Sequence, residues 1–555
     1  MKAIREYSLT LSLLIGILVM SAVVLLWRSG WLQLLELGVY DRMLRHQSRS
    51  HTGPSPVVIV GITDEDMTRW KYGWPLTDKV LAELLERIES AGPRAIGVDL
   101  YRDVPVPASG DELRLLEDIL NRHANLVFIY SLDAKTPPPS VLAGKPAQLG
   151  FNDVPGEDTI RATIRRGLLF MSNGQEDVPS FGFQLARLYL ERDGIFPEPD
   201  PRVPDRLRLG KATFRPFERN DGAYVNADAG GYQFLLDYKG PLEFPRHSLH
   251  DVLTGKVPPE VLRDKIVLVG ITAKTVKDLV TTPVQSQDFG VQLHAHIIDQ
   301  LLRAALAGQE PMRSWKDWQE ALWIVLWGLA GAGFGYHLRS PVSLTLALAG
   351  CGFLLWSVFR ICFEAGLWIP LVAPTAACFP SAGLVTSYVS YLERSQRTLL
   401  MHLFSRHVSK DIAENVWDQW HLFLDGDRPR PQKLVATVLF TDLKGFSSTS
   451  EKMDPALLID WLNQYMEEMA QVVARHGGVI NKYIGDAIMA VFGIPLSRTT
   501  LEEISHDATQ AVTCALGERH ADLKNLKPDL SAAGSLDPSP LSTPQPQLKK
   551  HHEQT

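Results

Sequence analysis

At 555 residues the chain is too long for one compact domain, and with 45% hydrophobic and 21% charged residues it is not a globally disordered polymer. A net charge of −7, with no basic run interleaved with aromatics, argues against a nucleic-acid partner. The four cysteines (Cys351, Cys362, Cys378 and Cys514) have no metal-ligand spacing, and none lies between residues 28 and 318, so that stretch is expected to fold without disulfides.

Residues 8–27, SLTLSLLIGILVMSAVVLLW, carry no charge and follow Lys2 and Arg5. The run is long enough to cross a bilayer as a helix. A cleaved signal peptide would have a shorter apolar stretch and a small-residue cleavage site, so an uncleaved anchor is expected.

Residues 28–318 alternate short apolar runs with helical patterns. VVIVGI (57–62), AIGVDL (95–100), LVFIYSL (126–132) and KIVLVGI (265–271) read as strands, and helices are expected over 77–91, 111–122, 182–192 and 294–306. Continuous apolar strands separated by helices predict an α/β domain with a largely parallel sheet covered on both faces. Asp64 and Asp99 fall at the carboxyl ends of two strands. There they either line a ligand pocket or cap helices and brace turns. With no nucleophile–base pair and no phosphate-binding glycine loop, the segment reads as a sensor for an unknown extracytoplasmic ligand.

Three further spans are expected at 319–336, 341–361 and 367–391, with Trp323, Trp327 and Trp368 at or near the interfaces. Lys2 and Arg5 at one end, and Arg394, Arg397, Arg406 and Lys410 at the other, place both flanks inside. Four transmembrane helices then put residues 28–318 outside, in a multi-pass protein of the cell (inner) membrane in contact with its lipid. No ionisable residue lies near the middle of a span, which argues against a transporter.

In residues 395–417, Leu400, Phe404, Val408, Ile412 and Val416 recur every four residues, which predicts an amphipathic helix. It either packs on its own domain or pairs with its copy as a coupling helix, and DGDRPRPQ (425–432) follows as a polar linker, so 392–432 is a connecting segment. LVATVLFTDLKGFSS (434–448) then reads as a strand ending at Asp442, followed by a turn containing Gly445. Asp454-Pro455 starts a helix with Leu458, Leu462, Tyr465, Met469 and Val472–Val473 on one face. GVINKYIGDAIMAVFGIP (478–495) reads as a hairpin about Gly485-Asp486, and HDATQAVTCAL (506–516) as another helix. Asp442 and Asp486 then lie at neighbouring strand ends, an arrangement of carboxylates that two metal ions can share. Backbone amides after Asp442 are suited to phosphate oxygens. Residues 518–555 are rich in Ser and Pro without an apolar strand and are expected to be disordered.

Several stretches together resemble the second class of CHASE domain, an extracellular sensory domain, over most of residues 36–310. They are Glu36-Leu-Gly-Val-Tyr40-Asp41, VVIVGITDEDMTRWKYGWP, AGPRAIGVDL, GYQFLLDYKGP (231–241), LRDKIVLVGITAKTVKDLVTTPV (262–284) and FGVQLHAHIIDQLL (289–302). The resemblance implies three further spans and then a cytoplasmic output domain. Residues 433–517 resemble the N-terminal half of the class III adenylyl and guanylyl cyclase catalytic domain, an α+β ferredoxin-like palm, through VLFTDLKGF and NKYIGDAIMAVFG. A diguanylate cyclase's GG-[DE]-EF turn is absent.

The cyclase resemblance implies that Asp442 and Asp486, with the carbonyl of Leu443, hold two Mg2+ ions, for which Mn2+ could substitute. It implies that Gly445, Phe446 and Ser447 offer amides to phosphates, and that Lys482 selects adenine and hence ATP. It also implies active sites shared between two chains, in a homodimer or in a heterodimer with an intact cyclase. The family's second purine-selecting residue and its asparagine–arginine pair are missing after Leu516, so the palm is expected to be incomplete. The expectation is a receptor-type adenylate cyclase, inactive or nearly so alone, that converts ATP to cyclic AMP and pyrophosphate on an extracytoplasmic signal. The alternatives are a non-catalytic sensor that regulates or completes a partner cyclase, and a truncated gene product.

Overall fold

A computed structural model of the chain describes residues 2–48, 55–69, 72–107, 112–156, 162–241, 243–404, 424–425, 428–429, 435–494, 498 and 500–520. The chain divides into two units, one formed by Ser8–Tyr388 and the other by Met1–Tyr7 with Val389–Thr555.

In the first unit a six-stranded sheet runs in the order Arg246–Ser248, Val57–Ile62, Ile266–Ile271, Ala95–Asp99, Leu126–Tyr130 and Leu149–Phe151. Every neighbouring pair is parallel. Alternate side chains of the central strands feed two separate cores. Val57, Ile59, Ala95, Val127, Ile266 and Leu268 pack against the Phe181–Glu191 and Gly290–Ala307 helices. Val58, Val60, Ile96, Val98, Val267 and Val269 pack against Asp78–Glu89, Leu113–Arg122 and Leu249–Leu253. The four expected strands and four expected helices are present, because strands buried on both faces must be apolar throughout. The sequence reading did not place the two short edge strands, Arg246–Ser248 and Leu149–Phe151, or the antiparallel sheet of Tyr232–Leu235, Arg166–Ser172 and Asp177–Pro179.

Below the sheet the Glu36–Asp41 stretch lies on the Gln33–Ser48 helix and ties several elements together. The Glu36 carboxylate accepts hydrogen bonds from the backbone N–H groups of Leu371 (3.1 Å), Val372 (2.7 Å) and Ala373 (3.0 Å), at the start of the Val372–Phe404 helix. Tyr40 packs at a tilt against Trp368, with ring centroids 4.3 Å apart, and donates its hydroxyl to the Leu236 carbonyl at 3.2 Å. Asp41 receives a two-pronged bond from Arg165, at 2.7 and 2.9 Å.

Two sequence expectations are corrected at this junction. Trp368 is not an interfacial anchor: it is 1% exposed, held between Tyr40 and Tyr224 in the sensor core. The last expected span, 367–391, does not start at 367 either. Leu367–Trp368 pairs as a short parallel strand with Arg313–Ser314, and the helix begins at Val372, where Glu36 supplies its cap.

The Lys2–Arg28, Asp317–His337, Pro341–Glu364 and Val372–Phe404 helices occupy the positions of the four expected spans. Among the described residues, Leu9–Arg28 and Pro341–Glu364 are long and apolar enough to cross a membrane. Asp317–His337 meets Val372–Phe404 through small residues. A side chain added at Gly331 would strike the Cys378 carbonyl, and one at Gly335 would lie 2.5 Å from the Ala382 carbonyl oxygen.

In the second unit the order along the chain is strand, helix, strand, strand, helix. Ala487–Phe492 is the central strand, antiparallel to both Thr437–Thr441 and Val479–Ile484. Val472 and Val473 from Pro455–Arg475, and Ala511 and Cys514 from Leu501–His520, close a core on Ala490 and Phe492. The Leu501–His520 helix runs three residues into the tail expected to be disordered from 518, and residues 521–555 lie outside the described residues. Of the expected coupling segment, the Val372–Phe404 helix covers the start, and 405–423 lies outside the described residues. Within the expected polar linker, Leu424–Asp425 pairs with Arg428–Pro429.

Two substitutions test these contacts by thermal unfolding of the full chain in detergent. Gly331→Leu, which faces immovable backbone, should destabilise by about 1–3 kcal/mol or more. Glu36→Ala, which strips the acceptor from three helix N–H groups, should cost about 1–3 kcal/mol.

Candidate nucleotide site and sensor cavity

The strand register brings the two predicted metal carboxylates together. Thr441 stands opposite Ile488. Asp442 directly follows the Thr437–Thr441 strand and Asp486 directly precedes Ala487–Phe492, so both lie at one end of this strand pair. Asp442 is exposed and Asp486 half-buried. No hydrogen bond or ion pair balances either carboxylate among the described residues. Two adjacent carboxylates repel each other until a cation lies between them.

No group of three or more His, Cys, Asp or Glu side chains is placed to hold a metal among the described residues. The protein therefore offers a sparse, all-oxygen donor set, leaving the remaining positions to water and phosphate. That is the ligation Mg2+ favours in nucleotide sites, so the residues present fit the ion.

The turn after Asp442 is tight. Gly445 has φ +82°, which an L side chain would resist, and the Phe446 N–H donates to the Leu443 carbonyl at 3.3 Å. The Leu443 carbonyl keeps a second lone pair for a metal, whereas the Phe446 amide, expected at a phosphate, is engaged in this turn. Ser447, also expected at a phosphate, is exposed in the short Phe446–Ser450 helix. Phe446 stacks on Trp461 with centroids 6.5 Å apart, and Trp461 on Tyr465, which fixes the turn to the Pro455–Arg475 helix. The sequence reading missed Trp461, although its spacing of four from Tyr465 was a signal.

Lys482 is exposed on the edge strand Val479–Ile484, opposite Met489 and just past a register shift after Ile480. It forms no ion pair with Asp442 or Asp486 among the described residues.

The two sensor aspartates part company. Asp64 is half-buried and accepts hydrogen bonds from the N–H groups of Lys274 (3.1 Å) and Thr275 (3.4 Å) and from the Thr275 hydroxyl. That hydroxyl and those amides hold its carboxyl below the usual range. It braces the loop after Ile266–Ile271 and is not among the residues that line the cavity at Asp99. Asp99 does line one, a cavity of about 390 Å3 at the carboxyl ends of the central strands, together with Asp278 and His294. Asp99 is 8% exposed, and burial pushes its carboxyl up to about 7. Burial pushes Asp278 up too, with the Asp99 charge adding to the shift. Burial pushes His294 down to about 4. Neither Asp278 nor His294 was singled out in the sequence, since each reaches the cavity from an element distant from Asp99 in the chain.

Residues 17–333 match the family described as the CHASE2 domain. Residues 430–529 match the adenylate and guanylate cyclase catalytic domain. An adenylate cyclase of Anabaena cylindrica is 48% identical over 56 residues, which are 10% of this chain and 11% of that protein. An uncharacterized protein of Mycobacterium tuberculosis is 31% identical over 141 residues, 25% of this chain and 23% of the relative. The chain thus spans less than a quarter of the length of either relative. Among solved structures, an adenylyl cyclase from P. aeruginosa is 34% identical, with 19% of this chain and 50% of that chain covered and a TM-score of 0.16. A guanylyl cyclase is 36% identical, with 18% and 47% covered and a TM-score of 0.15. Superpositions this poor carry no argument about the arrangement of this chain.

The cavity generates a pH prediction. Asp99 titrates near 7 when folded and near 3.8 ordinarily, so over that window the native state holds a proton that the unfolded chain has released. The Asp99 contribution to stability should therefore fall as pH rises from 4 to 7. Thermal unfolding of the full chain and of Asp99→Asn across this range should show it as a difference: the variant lacks the Asp99 decline, so its melting temperature should gain on the parent's as pH rises. Asp278 also faces the cavity and contributes in the same sense as Asp99, and the neighbouring Tyr101 stays neutral throughout. His294, neutral in the fold down to about 4 but protonated below 6.5 when unfolded, contributes in the opposite sense, equally in the parent and the variant.

Proposed function

Because the chain belongs to the CHASE2 domain family, we propose that it is a membrane receptor whose sensor, outside the membrane, is linked by four helical crossings to a class III adenylate cyclase segment inside. The observation that carries the catalytic part is the placing of Asp442 and Asp486 at one strand end, with no cation paired to them among the described residues.

In this reading the two carboxylates and the Leu443 carbonyl hold two Mg2+ ions. When bound, the metal activates the ribose 3′-hydroxyl of ATP for attack on the α-phosphorus and neutralises charge on the triphosphate. The left-handed turn at Gly445 lets the chain pass close beneath the phosphates, and Ser447 lies exposed beside it. The Phe446–Trp461 stack keeps the turn in place as charge moves to the leaving pyrophosphate.

Lys482, exposed on an edge strand, is free to reach across a dimer. Its ammonium donates to an acceptor such as N1 of adenine, whereas N1 of guanine carries a proton. ATP is therefore the proposed substrate and cyclic AMP the product.

The sequence given has no Asn-x-x-x-Arg pattern after Asp486. A second chain carrying such a pair would complete one site around Asp442 and Asp486. The proposed assembly is a homodimer or a heterodimer with an intact cyclase. A second reading, in which the chain regulates a partner without contributing chemistry, stays open.

The test is cyclic AMP formation from ATP and Mg2+ by membranes of a cyclase-free host. The chain would be expressed alone and together with an intact class III catalytic domain. Activity is expected mainly on co-expression, and Asp442→Ala should lower it by about a hundredfold or more. Stimulation of the partner that survives Asp442→Ala would favour the regulatory reading. No effect in either arrangement would overturn both.

A further inference from the structure

We infer that the cavity at the carboxyl edge of the sensor sheet is a binding site for a small organic cation, an ammonium group carried on an apolar or aromatic body. The inference names the signal for the receptor proposed above and rests on that reading, but its test does not require catalysis.

The argument starts from charge. Asp99 and Asp278 both line the cavity, and no protein donor is bonded to either carboxyl among the described residues. Among the described residues the only Lys or Arg in the lining is Arg102. Its guanidinium is already committed, donating to the Leu76 carbonyl and lying 3.6 Å from the Asp78 carboxylate. The cavity therefore holds two acids without a counter-charge, and one of them is more than nine-tenths buried.

A carboxyl buried without a hydrogen-bond partner is costly to a fold. Its chemistry asks for a donor from outside. His294 points to the same conclusion: it is 6% exposed and its Nδ1 has no partner. Kept neutral by burial, it adds no positive charge that would compete with a cation.

The remaining walls suit the body of such a ligand. Trp74 and Tyr101 are 43% and 44% exposed, so their rings are accessible to a ligand, and aromatic faces attract cations. Ile129, Val154 and Leu293 supply apolar surface. The Tyr101 hydroxyl is held by the Asn152 side chain at 3.0 Å, which fixes one wall. At about 390 Å3 the cavity exceeds what a bare ion needs. A metal is further disfavoured because no set of three ligating side chains converges there among the described residues. An anion would meet two acids.

The experiment is calorimetric titration of the full chain in lipid nanodiscs. The probes are ethanolamine, putrescine, phenethylamine and tryptamine, with neutral 2-phenylethanol and myo-inositol as controls. At least one amine should bind saturably, and 2-phenylethanol should bind about tenfold or more weakly than phenethylamine. Asp99→Asn and Asp278→Asn should each weaken the amine about tenfold or more. In the unliganded chain Asp99→Asn should raise the melting temperature, which also verifies folding. Asp278→Asn, at a half-buried position, keeps the test decisive if the first variant does not fold.

Failure of every amine to bind would overturn the inference, as would equal binding of amine and alcohol, unchanged binding in both variants, or preference for myo-inositol. None of these results depends on cyclic AMP formation, so the cyclase reading stands or falls separately.

Discussion

One carboxylate holds the base of the sensor to the helix that leaves it. Glu36 caps the first turn of Val372–Phe404 with three backbone hydrogen bonds, across more than three hundred residues of sequence. A helix start exposes unpaired N–H groups and a positive partial charge, and a carboxylate answers both. Burial pushes the Glu36 carboxyl up to about 7, while the three donors pull it back. Four residues on, Tyr40 packs against Trp368, and Asp41 is clamped by Arg165. One helical turn thus fastens the last helix, the Leu367–Trp368 strand and the sensor core together. A change in the sensor that moved this turn would move the start of the last helix with it.

Both sites are built on acids at strand ends. In the sensor, Asp99 closes the central Ala95–Asp99 strand of a parallel sheet, where the peptide chains turn away and leave a crevice. In the cyclase segment, Asp442 and Asp486 flank two antiparallel strands. The surroundings separate their chemistry. Asp99 is buried at the floor of a cavity, so its charge is suppressed until a partner arrives. Asp442 is open to solvent and to ions. A buried acid suits recognition of a cation, and a solvent-accessible pair suits a hydrated metal with a phosphate ligand.

Legibility in the sequence followed the range of the interactions. The four central strands could be read because burial on both faces leaves a continuous apolar run. Arg246–Ser248 could not, since a short edge strand with polar side chains has no such pattern. Asp99 could be flagged from its place at a strand end, but so could Asp64, and sequence offered no way to separate them. The separation came from Thr275 and Lys274, more than two hundred residues further on, which engage Asp64, whereas no hydrogen-bond donor meets the Asp99 carboxyl among the described residues. Trp368 misled because a tryptophan beside an apolar run has the same local signature at a membrane surface as in a protein core.

The sequence alone determined what depends on neighbours in the chain. That covers the α/β character of the sensor, the helical runs, the hairpin at Gly485-Asp486 and the strand end at Asp442. Local propensity and hydrophobic period suffice for these, because each is specified within a few residues. Tertiary structure alone decided which side chains meet. It set Glu36 on the last helix, Tyr40 on Trp368, Phe446 on Trp461, and Asp278 and His294 beside Asp99. Such contacts depend on strand order and helix packing, and no local pattern encodes the choice of a partner hundreds of residues away.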